Sequence, residues 1–321
     1  MAVELKSDVA AIRDVADRVR ENVSLVIVGR EQVIDQALVA LLCGGHVLVE
    51  DVPGIGKTMM TKALARSIGA DFRRIQFTPD LMPSDITGIH YFSQKSGEFE
   101  FRPGPLLANI VLADEINRAT PRTQSALLEA MEERQITVDG ETMALPSPFV
   151  VLATQNPIEL EGTFPLPEAQ LDRFLLRLRM GYPDEPEEDA IIRRFEAADP
   201  LASLQPVVES RELVRLSRAL EGVHCEASVR GYVTQVTRAT RTHSAVELGA
   251  SPRASLALFR ASRALAAIRG RDYVLPDDVQ ELAAPVLSHR LTLSAQSRLR
   301  GRDAETLVRE IIDEIPVPVA G

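Results

Sequence analysis

A glycine-rich loop that ends in Lys57 and Thr58 is the first feature of this 321-residue sequence that could do chemistry. Residues 49–58 read V-E-D-V-P-G-I-G-K-T, which closely matches the pattern G-x-x-x-x-G-K-[ST] between a strand and a helix. Gly54 and Gly56 let successive backbone N–H groups face a phosphate, and the following helix adds the positive end of its dipole. The loop therefore predicts phosphate binding.

The last two residues of the loop predict the ligand more closely. Lys57 would reach the β- and γ-phosphates, and the hydroxyl of Thr58 would coordinate Mg²⁺. We therefore predict ATP and Mg²⁺ as the cofactors. The predicted nucleotide contacts in the loop are Pro53, Gly54, Ile55, Gly56, Lys57, Thr58 and Met59. Asp51 stands where the pattern has its first glycine, so an acidic side chain is expected near the phosphates and the shape of the loop is left open.

An apolar strand that ends in two carboxylates provides the second candidate site. Residues 110–115 read I-V-L-A-D-E. Asp114 would hold Mg²⁺ through water, and Glu115 would polarise the water that attacks the nucleotide. An acidic pair after a strand is by itself a common solvated turn, and the preceding phosphate-binding loop makes the catalytic interpretation the stronger one.

A third apolar strand ends in polar amides, in the segment V-V-L-A-T-Q-N-P at residues 150–157. Open α/β sheets bind ligands at the carboxyl ends of their strands, so Asn156 would reach both the γ-phosphate and the attacking water. An ordinary Asn-Pro turn is the alternative for this residue. Gln76 ends another predicted strand near Glu115. It could gate that glutamate, but we interpret it as a buried polar residue of the strand.

The elements that position these residues alternate along the first part of the chain. Short apolar strands are predicted at 46–50, 72–77, 110–113, 149–154 and 174–179, with helices at 5–23, 31–42 and 57–68. This order predicts an α/β fold in which helices cover both faces of a mostly parallel sheet. Two β-hairpin inserts are expected, at about 79–105 and 135–148, and the second turns at Asp139-Gly140.

A second domain is predicted after the acidic, proline-containing segment at 182–189, because the helical pattern then continues to the end of the chain. We expect an α/β core with an N-terminal helix and both inserts at 1–183, and a small all-helical lid domain at 184–321.

The composition narrows the class of protein. Hydrophobic residues are 45% and charged residues 26%, as in ordinary globular proteins. The net charge of −10 disfavours nonspecific binding to nucleic acid or to an anionic membrane. Cys43 and Cys225 belong to no metal-binding spacing and are expected to be reduced thiols. The sequence shows neither a signal peptide nor an apolar segment long enough to span a bilayer, so a cytoplasmic protein is expected.

Long motifs throughout the chain closely resemble the MoxR family of AAA+ ATPases. The matching segments are R-I-Q-F-T-P-D-L-M-P-S-D-I-T-G from Arg74, G-E-F-E-F-R-P-G-P-L from Gly97, L-A-D-E-I-N-R-A from Leu112, Q-S-A-L-L-E-A-M-E-E from Gln124, A-T-Q-N-P-I-E from Ala153, F-P-L-P-E-A-Q-L-D-R-F from Phe164 and S-P-R-A-S-L from Ser251. The resemblance covers nearly the whole chain, from about residue 26 to about residue 289.

The resemblance implies a P-loop NTPase fold and a hexameric ring with a nucleotide at each subunit interface. Asn156 is then similar to sensor 1, Arg173 matches the arginine finger, and Arg253 matches sensor 2. An arginine from a neighbour would stabilise the charge of the transition state and make hydrolysis depend on assembly. Val28 and Gly29 match the stretch that lines the adenine pocket in AAA+ proteins. Rival candidates for the finger are Arg118, Arg122, Arg134 and Arg179.

Three functions remain open at this point. The resemblance implies ATP-dependent, chaperone-like remodelling of client proteins, including cofactor or metal insertion with a von Willebrand factor A (VWA)-domain partner. Asp51 motivates the alternative of a nucleotide-gated protein-binding module with little turnover. A nucleic-acid motor ranks last of the three. A groove that follows a nucleic-acid backbone needs clustered positive charge, and the insert at 135–148 has no Lys or Arg.

Overall fold

The computed structural model describes residues 2–156, 162–196 and 199–318. Its strands are β1 (His46–Glu50), β2 (Phe72–Gln76), β3 (Gly88–Ser93), β4 (Glu98–Pro103), β5 (Ile110–Asp114), β6 (Gln135–Val138), β7 (Glu141–Ala144), β8 (Val150–Gln155), β9 (Phe174–Leu178), β10 (Val246–Leu248) and β11 (Thr292–Leu293). Its helices are α1 (Ala2–Ser24), α2 (Glu31–Leu42), α3 (Lys57–Ser67), α4 (Pro83–Thr87), α5 (Pro121–Glu133), α6 (Glu168–Leu171), α7 (Glu185–Phe195), α8 (Pro200–Ser203), α9 (Ser210–Ala219), α10 (Ala227–Thr242), α11 (Pro252–Ile268), α12 (Pro276–Leu287), α13 (Ala295–Leu299) and α14 (Ala304–Glu314).

A five-stranded parallel sheet in the order β2-β5-β8-β1-β9 forms the centre of the fold and confirms the predicted α/β class. The three middle strands are almost entirely buried, because helices cover both faces and leave room only for apolar side chains. Gln76 pairs with Asp114, and Val49 pairs with Thr154. The carboxyl ends that carry the candidate residues therefore lie side by side.

Side chains of each strand alternate between two hydrophobic clusters, one on each face of the sheet. Val47 and Val49 join α1, α2 and α3 on one face, whereas Leu48 joins α4 and α5 on the other. The first cluster continues without interruption into helices α9 to α12. The division at 183/184 stays a prediction, since the apolar core itself runs across it.

Both predicted hairpins are present and confirm the expected inserts. β3 pairs with β4, and β6 pairs with β7, each in antiparallel register. Asp139 and Gly140 both have positive φ values, 50° and 87°, as a two-residue hairpin turn of the primed type requires. The ring of His90 lies 2.9 Å from the Asp139 carboxylate and joins the two hairpins.

The C-terminal part of the described chain is mainly helical, but it contains a short antiparallel strand pair that the sequence analysis did not predict and an isolated bridge between His224 and Tyr273. Val246 in β10 pairs with Leu293 in β11. These strands span only three and two residues, too few to show an alternating pattern. Among the helices of the described residues, none combines the length and apolar character that crossing a bilayer requires.

A buried histidine begins β1 and links the sheet to α5. The Nδ1 atom of His46 accepts a hydrogen bond from the Val151 amide at 3.0 Å, and its Nε2 atom lies 3.0 Å from the carbonyl oxygen of Met131. Burial, reinforced by nearby Arg134, lowers the pKa of His46 to about 3. The folded protein therefore keeps this ring neutral.

Acidification is expected to destabilise the protein through His46. The pKa is lower in the folded state, so below about pH 6.5 the unfolded state binds a proton that the folded state excludes, and stability falls. Between pH 6 and pH 5 the wild type should lose about 1 kcal/mol more unfolding free energy than His46→Gln. Urea unfolding of both proteins at the two pH values checks this. Equal losses would contradict the assignment.

Candidate functional site

A cavity of about 300 Å³ opens at the carboxyl ends of β1, β5 and β8. It is lined by Pro53, Gly54, Gly56, Lys57, Thr58, Met59, Arg74, Gln76, Asp114, Glu115, Thr154 and Asn156. The fold thus brings the three separate sequence motifs to one place. Its size is at the lower end of the range for small-molecule sites.

The glycine-rich loop has the backbone conformation that its sequence predicts. Gly54 and Gly56 have φ values of 86° and 92°, in the left-handed region where a side chain would be strained. Gly56 directly precedes α3, so the first N–H groups of that helix, with no partner in the helix itself, begin at the cavity. Loop and helix together offer the concave row of donors that a phosphate group requires.

Lys57 is the half-buried cation of the cavity. Its Nζ atom donates to the carbonyl oxygen of Asp51 at 2.9 Å. Burial lowers the pKa of Lys57, while the carboxylates of Asp51, Asp114 and Glu115 act in the opposite direction. An anion at this position would replace solvation that the ammonium group has lost.

Asp114 and Glu115 are fixed by a residue that the sequence analysis did not single out. Thr154 Oγ1 accepts a hydrogen bond from the Glu115 amide at 2.8 Å and donates to Asp114 Oδ1 at 2.5 Å. Glu115 has φ 57° and ψ 50°, a left-handed conformation that is uncommon for a residue with a side chain. Such local strain is typical of functional sites. The sequence signal for Thr154 was its polarity within an otherwise apolar strand.

A polar chain crosses the cavity from β2 to Glu115. Arg74 donates to Asp114 Oδ2 at 2.6 Å and to Gln76 Oε1 at 2.7 Å, and Gln76 Nε2 donates to Glu115 Oε2 at 2.7 Å. The interpretation of Gln76 as a buried strand residue was wrong, because it is exposed and hydrogen-bonded to that glutamate. Arg74 was missed as a site residue, although residues two apart on a strand share a face.

The oxygen donors in the cavity fit a magnesium ion. The Thr58 hydroxyl and the Asp114 carboxylate line the same space, and Mg²⁺ prefers a few hard protein oxygens together with substrate phosphates and water. The part of the chain that the structure describes holds no group of three or more His, Cys, Asp or Glu residues suited to a metal, so phosphates and water would complete the coordination in the cavity.

Some predicted contacts lie outside the cavity lining. Ile55 packs against the larger hydrophobic cluster. The backbone of Gly29 lies against Glu187, since a Cβ at Gly29 would stand 2.1 Å from the Glu187 carboxylate. Neither Val28 nor Gly29 lines the cavity, so their contact with adenine stays a prediction. Asn156 does line it, and the proline that follows lies outside the described residues.

Arg173 and Arg253 lie in a second cavity, of about 360 Å³, around Glu132. Arg253 is half-exposed and bonds Glu132 Oε1 at 2.9 Å, and Arg173 Nε lies 3.9 Å from Glu132 Oε2. The structure therefore brings these two arginines together, but not at the phosphate-binding loop of their own chain.

The rival arginines differ in the hydrogen bonds and ion pairs that they make within their own chain. Arg134 donates to the carbonyl oxygens of Gly44 and Phe149, and Arg179 pairs with Glu50 and Glu305. Arg118 lies 3.5 Å from the Glu115 carboxylate, and Arg122 is exposed at the start of α5.

Family models match both parts of the chain. Residues 46–176 match the ATPase family associated with various cellular activities, and residues 238–311 match the AAA lid domain.

Similar proteins are found along nearly the full length. The Bacillus subtilis protein YeaC is 54% identical over 93% of each chain. Chaperone MoxR1 of Mycobacterium tuberculosis is 44% identical over 92% of this chain and 81% of its own. A crystal structure from Cytophaga hutchinsonii, assigned as an ATPase, matches with a TM-score of 0.93 and 36% identity over 99% of each chain. The resemblance seen in the sequence motifs is thereby confirmed, and the chain belongs to the MoxR family of AAA+ ATPases.

Proposed function

We propose that this protein hydrolyses ATP with Mg²⁺ and uses the energy to remodel client proteins from within a homo-oligomeric ring. The observation that carries the proposal is the convergence of a phosphate-binding lysine, a carboxylate pair and a strand-end amide on one cavity. These groups come from β1, β5 and β8, and their chemistry matches the needs of phosphoryl transfer to water.

Each residue of the cavity has a defined task in this proposal. The backbone donors before α3 and the Lys57 ammonium hold the phosphates and neutralise their charge. Mg²⁺, held by Thr58 and Asp114, would stabilise the charge that develops on the phosphate oxygens. Glu115 polarises the attacking water and receives its proton, and Asn156 orients that water against the γ-phosphate.

A ring is supported by the position of Arg173 and Arg253. Arg173 and Arg253 surround Glu132 in a separate cavity, where a neighbouring subunit's nucleotide would meet them. We therefore assign the finger to Arg173 and sensor 2 to Arg253, both acting on the neighbour's ATP. The hexameric stoichiometry follows the family resemblance.

The client is proposed to contact the two inserts. Tyr91, Phe92 and Phe99 on β3 and β4 are exposed, although large apolar side chains usually pack. Acidic Glu98 and Glu100 lie beside them, a mixture suited to protein and unsuited to a nucleic-acid backbone. A VWA-domain partner, a role in cofactor or metal insertion, and a cytoplasmic location extend this proposal from the resemblance.

A nucleotide-gated binding module is the second candidate. The observation that favoured it was the acidic Asp51 in the loop. The Asp51 side chain does not line the cavity, and its carboxylate instead accepts hydrogen bonds from the Met180 and Gly181 amides. We therefore keep the binding module only as the alternative that the ATP hydrolysis measurement tests.

Steady-state ATP hydrolysis across a wide protein concentration range tests the proposal. The rate per subunit should rise with concentration and then saturate, because the arginines come from a neighbour. Lys57→Ala serves as the control and should neither bind nor hydrolyse ATP. ATP binding by wild type without hydrolysis at any concentration would favour the binding module, and activity in Lys57→Ala would contradict the site.

A further inference from the structure

The carboxylate of Asp51 contacts the backbone that leads out of the sheet after β9. Asp51 Oδ2 accepts hydrogen bonds from the Met180 and Gly181 amides at 2.6 and 2.9 Å, and Oδ1 accepts from Val52 at 3.1 Å. Three N–H donors thus satisfy a side chain that could have disturbed the phosphate-binding loop. A glycine at position 51 would leave the amides of residues 180 and 181 without this acceptor.

The main chain of Asp51 belongs to the nucleotide site as well. Its carbonyl oxygen accepts from Lys57 Nζ at 2.9 Å, and its amide donates to Gln155 O at 3.4 Å, directly before Asn156. One residue therefore contacts the phosphate-binding lysine, the end of β8 and the segment after β9 at residues 180–181, which we call the exit segment.

The contacts continue from Gly181 to the first turn of α7. The Gly181 carbonyl oxygen accepts from the Arg30 guanidinium at 3.4 Å, and the same guanidinium pairs with Glu187 at 2.8 Å. Glu187 also completes the N-terminal cap of α7 with Asp184. Both side chains of the Arg30–Glu187 pair are largely buried, at 16% and 25% exposure, so solvent screens the pair less than it would an exposed one.

We propose that Asp51 is a positioning residue that transmits the nucleotide state of the loop to α7, the first helix of the predicted lid. It acts through the Met180 and Gly181 amides and then through Arg30 and Glu187. This inference rests on the proposed ATPase function. The Met180 and Gly181 amides are both hydrogen-bonded to the Asp51 carboxylate, so the exit segment moves with the loop. A ligand that shifts the loop therefore also shifts the start of α7.

Hydrogen–deuterium exchange with and without ADP and Mg²⁺ tests the proposal in the full chain. In wild type, saturating ADP should slow amide exchange both in residues 53–59 and in residues 180–187. In Asp51→Gly, which restores the glycine of the loop pattern, ADP should still protect residues 53–59 but no longer protect residues 180–187. If the contact were merely structural, amide exchange in residues 180–187 of wild type would be the same with and without ADP.

Kinetics provide an independent readout of the same variant. We expect kcat of Asp51→Gly to fall about tenfold while the Kd for ADP changes less than about threefold, since a charge-assisted contact outside the phosphate cavity is lost. Asp51→Asn keeps the size and one acceptor oxygen and should restore part of kcat and of the exchange response.

Arg30→Gln tests the second half of the path and serves if Asp51→Gly does not fold. It leaves the loop intact and should abolish the ADP response in residues 185–187 while preserving it at residues 180–181. The matched control is Arg193→Gln, an exposed residue of α7 that pairs with Asp189, and it should behave as wild type.

Three results would overturn the inference. One is a wild-type exchange response in residues 180–187 of Asp51→Gly. The second is loss of ADP binding in Asp51→Gly as complete as in Lys57→Ala, which would make Asp51 part of the binding loop itself. The third is a wild type that binds no nucleotide, which would also overturn the proposed function, whereas the first two leave that function standing.

Discussion

Glu115→Gln is expected to bind ATP normally and to hydrolyse it at least about 100-fold more slowly than wild type, the usual contribution of a positioned general base. The amide keeps the shape of the side chain but cannot take a proton from water. Its left-handed backbone and the Thr154 contact to its amide do not involve the carboxylate, so the fold should be unchanged. A single-turnover assay with prebound ATP separates binding from the chemical step.

Glu21→Gln is the matched control for this experiment. Glu21 is exposed on α1 and does not line the cavity, so the same chemical change there should leave kcat unaltered. Turnover by Glu115→Gln at the wild-type rate would remove Glu115 from the catalytic role, whatever its geometry. Loss of ATP binding would instead indicate that the carboxylate helps to build the pocket.

Arg173→Ala should lower kcat about 1,000-fold if this residue is the finger, while ATP affinity stays near the wild-type value. The guanidinium is expected to stabilise transition-state charge on the neighbouring subunit's ATP, and ground-state binding depends on the loop of the subunit that holds the nucleotide. Within its own chain Arg173 makes a loose ion pair with Glu132, at 3.9 Å and partly exposed to solvent. Its removal should therefore cost little stability.

Mixing experiments distinguish the neighbour's site from the residue's own. Neither Arg173→Ala nor Glu115→Gln should hydrolyse ATP efficiently alone, but a mixture of the two should regain activity, because Arg173 of a Glu115→Gln subunit completes the intact site of an adjacent Arg173→Ala subunit. Arg18→Ala, an exposed arginine of α1 paired with Asp14, is the control and should keep wild-type activity on its own. Mixed rings as inactive as each variant alone would contradict action on a neighbour.

The local parts of the site were predictable because each is a short segment with its own signal. The loop around Lys57 needs glycines for its backbone, and the strands that end at Asp114 and Asn156 are runs of buried apolar residues. Parallel strands bring their carboxyl ends to one edge, so the sequence alone was enough to expect these groups together. The hairpin turn at Asp139 was predictable for the same reason, since φ is a local requirement.

The contacts between distant segments were decided only by the tertiary structure. Thr154 between Asp114 and Glu115, and Gln76 against Glu115, depend on strand register, which no single segment specifies. The acidic residue at position 51 could not be interpreted from its place in the loop, because its partners lie 129 and 130 positions away. Side-chain direction is determined by packing and by whichever donors the fold brings near, and those donors belong to other elements of the chain.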